Sequence, residues 1–249
     1  MLDSKLKRTV ACVATLLLAG FAFGGAMPGR GTDAYVQKGL LAIWDGIENT
    51  GSSRQHDANI TAWKDVIGDR AFALTGVTIT EDGLVFDGTG SSSRGVLAAE
   101  DAAATFGLAG GGTMEIVIIP DETSGQRIAL QGPAGGGAGL SIGIDASNHI
   151  YLQNTAYSAG VAYNWRGAAN TFSVQYLAFK AVLNGSGVFR NGELVPSNLF
   201  GGSDYWGVPD AKAYVGGRAR GDDGFCGKIC CVRLYDSHLT AAEVAANAE

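Results

Sequence analysis

The chain has 249 residues, of which 38 are glycine, 17% are charged and 46% are hydrophobic, and its formal net charge is −6. That apolar content with so little charge excludes an intrinsically disordered chain, and glycine at about double its usual ~7% share, without a Gly-X-Y period, excludes collagen. The acidic balance lacks the basic footprint of a nucleic-acid binder, and beyond the N-terminus no run reaches the ~20 apolar residues of a membrane span.

At the N-terminus Lys5, Lys7 and Arg8 precede an apolar stretch from Val10 to Phe23 and the small residues Gly24, Gly25 and Ala26. This order predicts a secretory signal peptide over residues 1–26 and a secreted protein. The remaining residues 27–249 show no internal repeat or linker, so one domain is expected, with a formal charge of −8.

Gly39–Trp44 reads as the first strand, followed by the polar stretch Asp45–Asn59. Phe72–Thr80 and Leu84–Asp87 are apolar runs around the turn pair Asp82-Gly83. In Thr113–Ile119, Met114, Ile116 and Ile118 alternate with Glu115, Val117 and Ile119, the pattern of a strand packed on both faces. Ile128–Gln131, Leu140–Ile144 and His149–Gln153 follow at the turn-punctuated spacing of a sandwich, and Phe172, Val174 and Tyr176 predict a half-buried strand. Val188–Arg190 and Glu193–Val195 flank Asn191-Gly192, the pair best suited to a type I′ hairpin. Ala213–Gly216 and Lys228–Tyr235 complete the set; in the latter, a period of two puts Cys230 with Val232 and Leu234, and Cys231 with Arg233. Thr240 and Glu243 form a capping box, with Leu239 and Val244 placed as a hydrophobic staple, so a short C-terminal helix is expected. Ala98–Phe106 is a second helical candidate.

The residue types that carry chemistry are sparse. The three cysteines after the signal peptide, Cys226, Cys230 and Cys231, cannot all pair within one chain; small hydrophobic filler is the expected role, with a Cys226 link to one neighbour as the competing one. Gly139-Leu-Ser-Ile-Gly143 matches the nucleophile-elbow pattern by letter, yet alternating Leu140, Ile142 and Ile144 put Ser141 on a strand rather than a strained strand-to-helix turn. His56, His149 and His238 lack metal-ligand spacing. The distinctive signal is aromatic: Tyr157, Tyr163 and Trp165 stand in a Gly/Ala/Asn-rich stretch, and Tyr205-Trp206 lies between Gly202 and Pro209. Flat rings beside Asn, Asp and Arg in loops suit sugar recognition, the ring covering an apolar sugar face while polar groups bond hydroxyls. Packing of loop ends onto the core is the competing role for these rings.

The order of short motifs resembles a laminin-G-like, concanavalin A-like jelly-roll domain of the bacterial secreted type. The resemblance runs through Gly39-Leu-Leu-Ala-Ile-Trp-Asp, Thr61-Ala-Trp-Lys-Asp-Val, Gly83-Leu-Val-Phe-Asp-Gly, Phe189-Arg-Asn-Gly-Glu-Leu, Tyr214-Val-Gly-Gly-Arg and the closing Gly227–Val244 segment. It implies an all-β fold, a β-sandwich of two antiparallel sheets with a short C-terminal helix. Hydrolases similar to this fold carry Glu-x-Asp-x-(x)-Glu on one strand face. Here Glu115 stands alone, with Val117 and Ile119 where acidic partners belong, so a non-catalytic module is expected. The resemblance also makes a loop calcium plausible, and Asp45, Asp57, Asp222 and Asp223 are its candidate ligands, against the alternative that Asp45 and Asp57 bond their own backbone. The expected partner is an extracellular glycan or a surface protein; the alternative function is a structural or adhesive cell-surface protein acting by protein–protein contacts through sheet faces or edges, and a hydrolase with an unfamiliar site is weaker.

Overall fold

A computed structural model describes residues 34–106, 112–121, 127–133, 139–144, 149–155, 162–169, 175–180, 187–195 and 211–248. The strands are β1 (Leu40–Asp45), β2 (Ala62–Lys64), β3 (Ala71–Thr75), β4 (Thr78–Thr80), β5 (Gly83–Asp87), β6 (Arg94–Leu97), β7 (Thr113–Pro120) and β8 (Arg127–Gln131). They continue as β9 (Gly139–Ile144), β10 (His149–Thr155), β11 (Ala162–Ala169), β12 (Gln175–Lys180), β13 (Gly187–Arg190), β14 (Glu193–Val195), β15 (Ala213–Val215) and β16 (Cys226–Tyr235). Two α-helices stand among the described residues, α1 (Ala99–Phe106) and α2 (Ala241–Ala248).

The strands form two eight-stranded antiparallel sheets. The first has the order β14-β13-β12-β7-β16-β5-β4, with β1 also paired to β16; the second has the order β11-β10-β9-β8-β15-β6-β3-β2. Because successive side chains point to opposite faces of a strand, each sheet turns one apolar row inward. Trp44, Leu84, Ile116 and Val232 from the first sheet meet Trp63, Phe72, Leu97, Ile142 and Val215 from the second in one buried core. Trp44 and Phe72 pack edge to face with ring centroids 4.8 Å apart, and the Trp63 indole N–H donates to the Asp45 carbonyl at 2.7 Å. The jelly-roll sandwich expected from the sequence is the fold observed.

The run Phe72–Thr80 is two strands rather than one. β3 belongs to the second sheet and β4 to the first, and the chain crosses between them at Gly76, whose φ of +59° suits glycine. A Cβ at that position would collide with the carbonyl oxygen of Ser92. The Asn191-Gly192 hairpin forms as anticipated, with φ values of 51° and 81° and Arg190 paired to Glu193. β2, β6 and β11 are short or rich in glycine, alanine and lysine, and they exist because neighbouring strands supply pairing that their composition does not favour. Of the strand expected at 172–176, β12 contains Gln175 and Tyr176; Phe172 and Val174 lie outside the described residues.

β16 departs from a period of two. Its register on β7 slips between Ile229 and Cys231, so Cys230 is the extra residue of a β-bulge. Cys230 and Cys231 therefore both face away from the sandwich core, while Val232 and Leu234 face into it, which corrects the expected sharing of a face between Cys230 and Val232. Cys230 and Cys231 are free thiols. Burial pushes the Cys230 thiol up to about 12 and raises that of Cys231 as well.

A second apolar cluster covers the outer face of the first sheet. Val117, Cys230, Cys231 and Tyr235 pack there beneath Tyr35, Leu239 and Val244. The predicted capping box positions α2: the Thr240 N–H donates to Glu243 Oε2 at 2.6 Å, and the Glu243 N–H donates to Thr240 Oγ1 at 3.2 Å.

Candidate functional site on the open face of the second sheet

The acidic residues singled out from sequence fall into separate hydrogen-bonded groups. Asp45 ends β1 and is buried, its Oδ1 accepting the N–H groups of Ile47 and Glu48 at 2.7 and 3.0 Å. Asp57 accepts the Asn59 N–H through Oδ1 at 2.8 Å, while its own backbone N–H and carbonyl are both bonded to the buried Asn49 side chain. Asp222 and Asp223 instead flank Arg218, whose Nε donates to Asp222 Oδ1 at 2.6 Å and whose Nη2 lies 2.8 Å from Asp223 Oδ2. Hydrogen bonding from Arg218 holds the Asp222 carboxyl below its ordinary range. Among the described residues, no group of three or more His, Cys, Asp and Glu side chains is arranged to hold a metal ion.

Tyr157, Tyr205 and Trp206 lie outside the described residues. Tyr163 and Trp165, expected in a loop, stand in strand β11. The β10–β11 register aligns Trp165 with Leu152, and the β9–β10 register aligns Leu152 with Ile142, a core position. The adjacent row aligns Asn164 with Gln153 and Gln153 with Ser141. That second row continues in register through Gln131, Tyr214, Val96, Ala73 and Ala62, so one row of paired residues crosses all eight strands, and from Ser141 to Ala62 it lies on the face opposite the core.

The middle of this line is closed: Gln131 and Ser141 are buried, and Gln131 Oε1 accepts the Ala219 N–H at 2.9 Å. From β15 to β2 the face is open, because Ala73, Thr75 and Lys64 are exposed and Val96 and Ala62 are half-buried. Tyr214 stands at the step between the two halves. Its neighbours Ala213 and Val215 are fully buried in the core, so the strand period sends Tyr214 outward. The Arg94 guanidinium lies over its ring, 5.3 Å from the centroid, and Arg94 Nη1 donates to the Arg218 carbonyl at 3.0 Å. The result is an aromatic wall with a stacked cation above a floor of small side chains. The Arg218–Asp223 loop forms its rim. Sequence reasoning missed Arg94 and Tyr214 as a site. The small and apolar neighbours of Tyr214 carried the signal that it points outward, but its pairing with Arg94 comes only from the β6–β15 ladder.

The opposite outer face treats its acid differently. Glu115 on β7 is 1% exposed and accepts from Arg233 Nε at 2.8 Å and from Asn247 Nδ2 at 3.0 Å on both carboxylate oxygens. Asn247 Nδ2 also lies 2.9 Å from the Tyr235 hydroxyl, its Oδ1 accepts the Val36 N–H at 2.9 Å, and Arg233 lies 3.9 Å over the Tyr35 ring. Both oxygens of the one acid in the central strand are thus committed to internal partners beneath α2.

Solved structures share this architecture. Sialidase from Trypanosoma rangeli in complex with sialic acid is similar at TM-score 0.61 and 17% identity over 83% of this chain, which spans 32% of that protein's length. Domain 4 of AbnA, an extracellular GH43 arabinanase from Geobacillus stearothermophilus in complex with arabinotriose, is similar at TM-score 0.55 and 17% identity, covering 84% of this chain and 98% of that one. The binding domain of Botulinum neurotoxin DC in complex with rat synaptotagmin II is similar at TM-score 0.60 and 10% identity, covering 83% of this chain and 50% of that one. A comparison with curated proteins returns no match. The Laminin_G_3 family model matches residues 90–245, more than half of the sequence, and the chain therefore belongs to the concanavalin A-like lectin/glucanases superfamily.

Proposed function

We propose that this protein is a secreted, non-catalytic binding module that holds an extracellular glycan on the open half of its second sheet. The observation that carries this reading is the Tyr214–Arg94 stack standing above the small residues Ala73 and Val96. A sugar ring laid against Tyr214 would bury its apolar face, while Thr75 and the polar Arg218–Asp223 rim supply hydrogen bonds to its hydroxyls. The loop aromatics Tyr157, Tyr205 and Trp206 extend the same proposal, and calcium belongs to it as an organiser of the acidic loops. Commitment of Glu115 to Arg233 and Asn247 supports a binding rather than a hydrolytic role, because glycoside hydrolysis needs two carboxyl groups facing the scissile bond. The arabinotriose complex of AbnA domain 4 supports a saccharide ligand. The neurotoxin domain, seen with a protein partner, supports a second reading as an adhesive module.

A glycan-array screen of the purified protein, in millimolar calcium and again in EDTA, tests the proposal. The expected result is binding that Tyr214→Ala weakens roughly tenfold with little loss of thermal stability. Binding lost in EDTA would assign the calcium role. Absence of glycan binding in both conditions, or binding indifferent to Tyr214→Ala, would overturn the reading in favour of the adhesive module.

A further inference from the structure

Among the described residues two arginine–tyrosine stacks stand, one on each outer face, and they differ in one respect. Arg233, stacked on Tyr35, has its carboxylate supplied internally by Glu115 at 2.8 Å. Arg94, stacked on Tyr214, has no carboxylate of any described residue within ion-pair distance. Its neighbour Arg218 is neutralised by Asp222 and Asp223. Arg94 is also half-buried and fixed by its bond to the Arg218 carbonyl, so its guanidinium is positioned in advance and partly stripped of water. A planar guanidinium held in this way, with only Nη1 engaged by a described hydrogen bond, matches the geometry of a carboxylate approaching from the open face. The charge of the chain as a whole, −6, gives no hint of this local cation.

We propose that Arg94 recognises the acid group of an acidic saccharide, with the sugar ring seated on or beside Tyr214. This inference rests on the glycan-binding reading above and narrows it to sugars bearing a carboxylate, such as uronates. The carboxylate takes in the ligand complex the place that Glu115 holds beside Arg233.

The test is calorimetric titration of the purified protein with oligogalacturonate and oligomannuronate, each compared with its fully methyl-esterified form, which keeps the sugar and removes the charge. The expected result is at least a tenfold preference for one of the acids, shrinking in 0.5 M salt and collapsing towards unity in Arg94→Gln. Arg94→Lys, which keeps the charge but loses the planar fork, should retain part of the preference. Thermal melting of both variants reports whether they fold. Equal affinity for acid and ester, or a preference that survives Arg94→Gln, would overturn the inference while leaving the glycan-binding reading intact. Failure of every saccharide, neutral or acidic, would overturn both.

Discussion

On the first sheet Arg233 lies 3.9 Å over Tyr35, and on the second Arg94 lies 5.3 Å over Tyr214, so the two outer faces begin from the same pair of side chains. Their surroundings differ. The first stack is sealed under α2 and completed by Glu115, Asn247 and the Tyr235 hydroxyl, leaving Arg233 and Glu115 each 1% exposed. The second stands at an open step with exposed Ala73 and Thr75 beside it. A guanidinium costs several kcal/mol to bury unless its charge is matched, so a sealed arginine needs an internal carboxylate, whereas an open one can keep water or accept a ligand. The same motif thus holds the structure together on one side and offers a contact on the other.

The contrast can be broken most severely at Glu115. Glu115→Ala leaves Arg233 buried without its carboxylate and should lower stability by about 3–5 kcal/mol, read as a shift in the denaturant midpoint. Replacing both partners with apolar groups, Glu115→Leu with Arg233→Met, should recover most of that loss, because the desolvated charge is removed with its partner. An equal loss in the double variant would show that the ion pair is not what seals the face.

A smaller effect comes from the lid itself. Thr240→Ala removes the hydroxyl that accepts the Glu243 N–H and should cost about 1 kcal/mol, with the loss confined to the sealed face in hydrogen-exchange protection of α2.

The weakest effect belongs to the carboxylates at the surface. Hydrogen bonding from Arg218 holds the Asp222 carboxyl low; at Asp82, partial burial acts to raise the carboxyl, but the bonds from Lys228 and Thr80 outweigh it and hold it low as well. A carboxylate whose folded-state pKa is depressed contributes stability above its unfolded value of ~3.9 and loses it as pH falls through the folded value. The stability these two carboxylates contribute should therefore decline as pH falls from about 5 to about 3, read as the difference in melting-temperature slope between the unmodified chain and Asp222→Asn. These pairs are surface-exposed, so each share is only a few tenths of a kcal/mol.

The sealed side was the more legible of the two. The capping box at Thr240 and Glu243 and the two-sided strand at Thr113–Ile119 rest on local periodicity, and both appear as read. Glu115 could be seen to stand alone among apolar neighbours, but its partners Arg233 and Asn247 are 118 and 132 residues away and no local pattern encodes them. The bulge at Cys230 defeated the two-residue period for the same reason, since it is set by register against β7. The switch at Gly76 hid within an unbroken apolar-looking run because the sheet to which each half belongs is decided by pairing partners. On the open side Arg94 follows a run of three serines, and only the β6–β15 ladder carries it to Tyr214.

Whether the open half of the second sheet is the ligand-binding face can be read residue by residue from amide chemical shifts in nuclear magnetic resonance during titration with oligogalacturonate. Binding on that face should produce saturable shifts at Ala73, Thr75, Arg94, Val96 and Tyr214, with α2 and the β13–β14 hairpin unmoved. Saturable shifts confined to α2, the hairpin or other parts of the first sheet would contradict it.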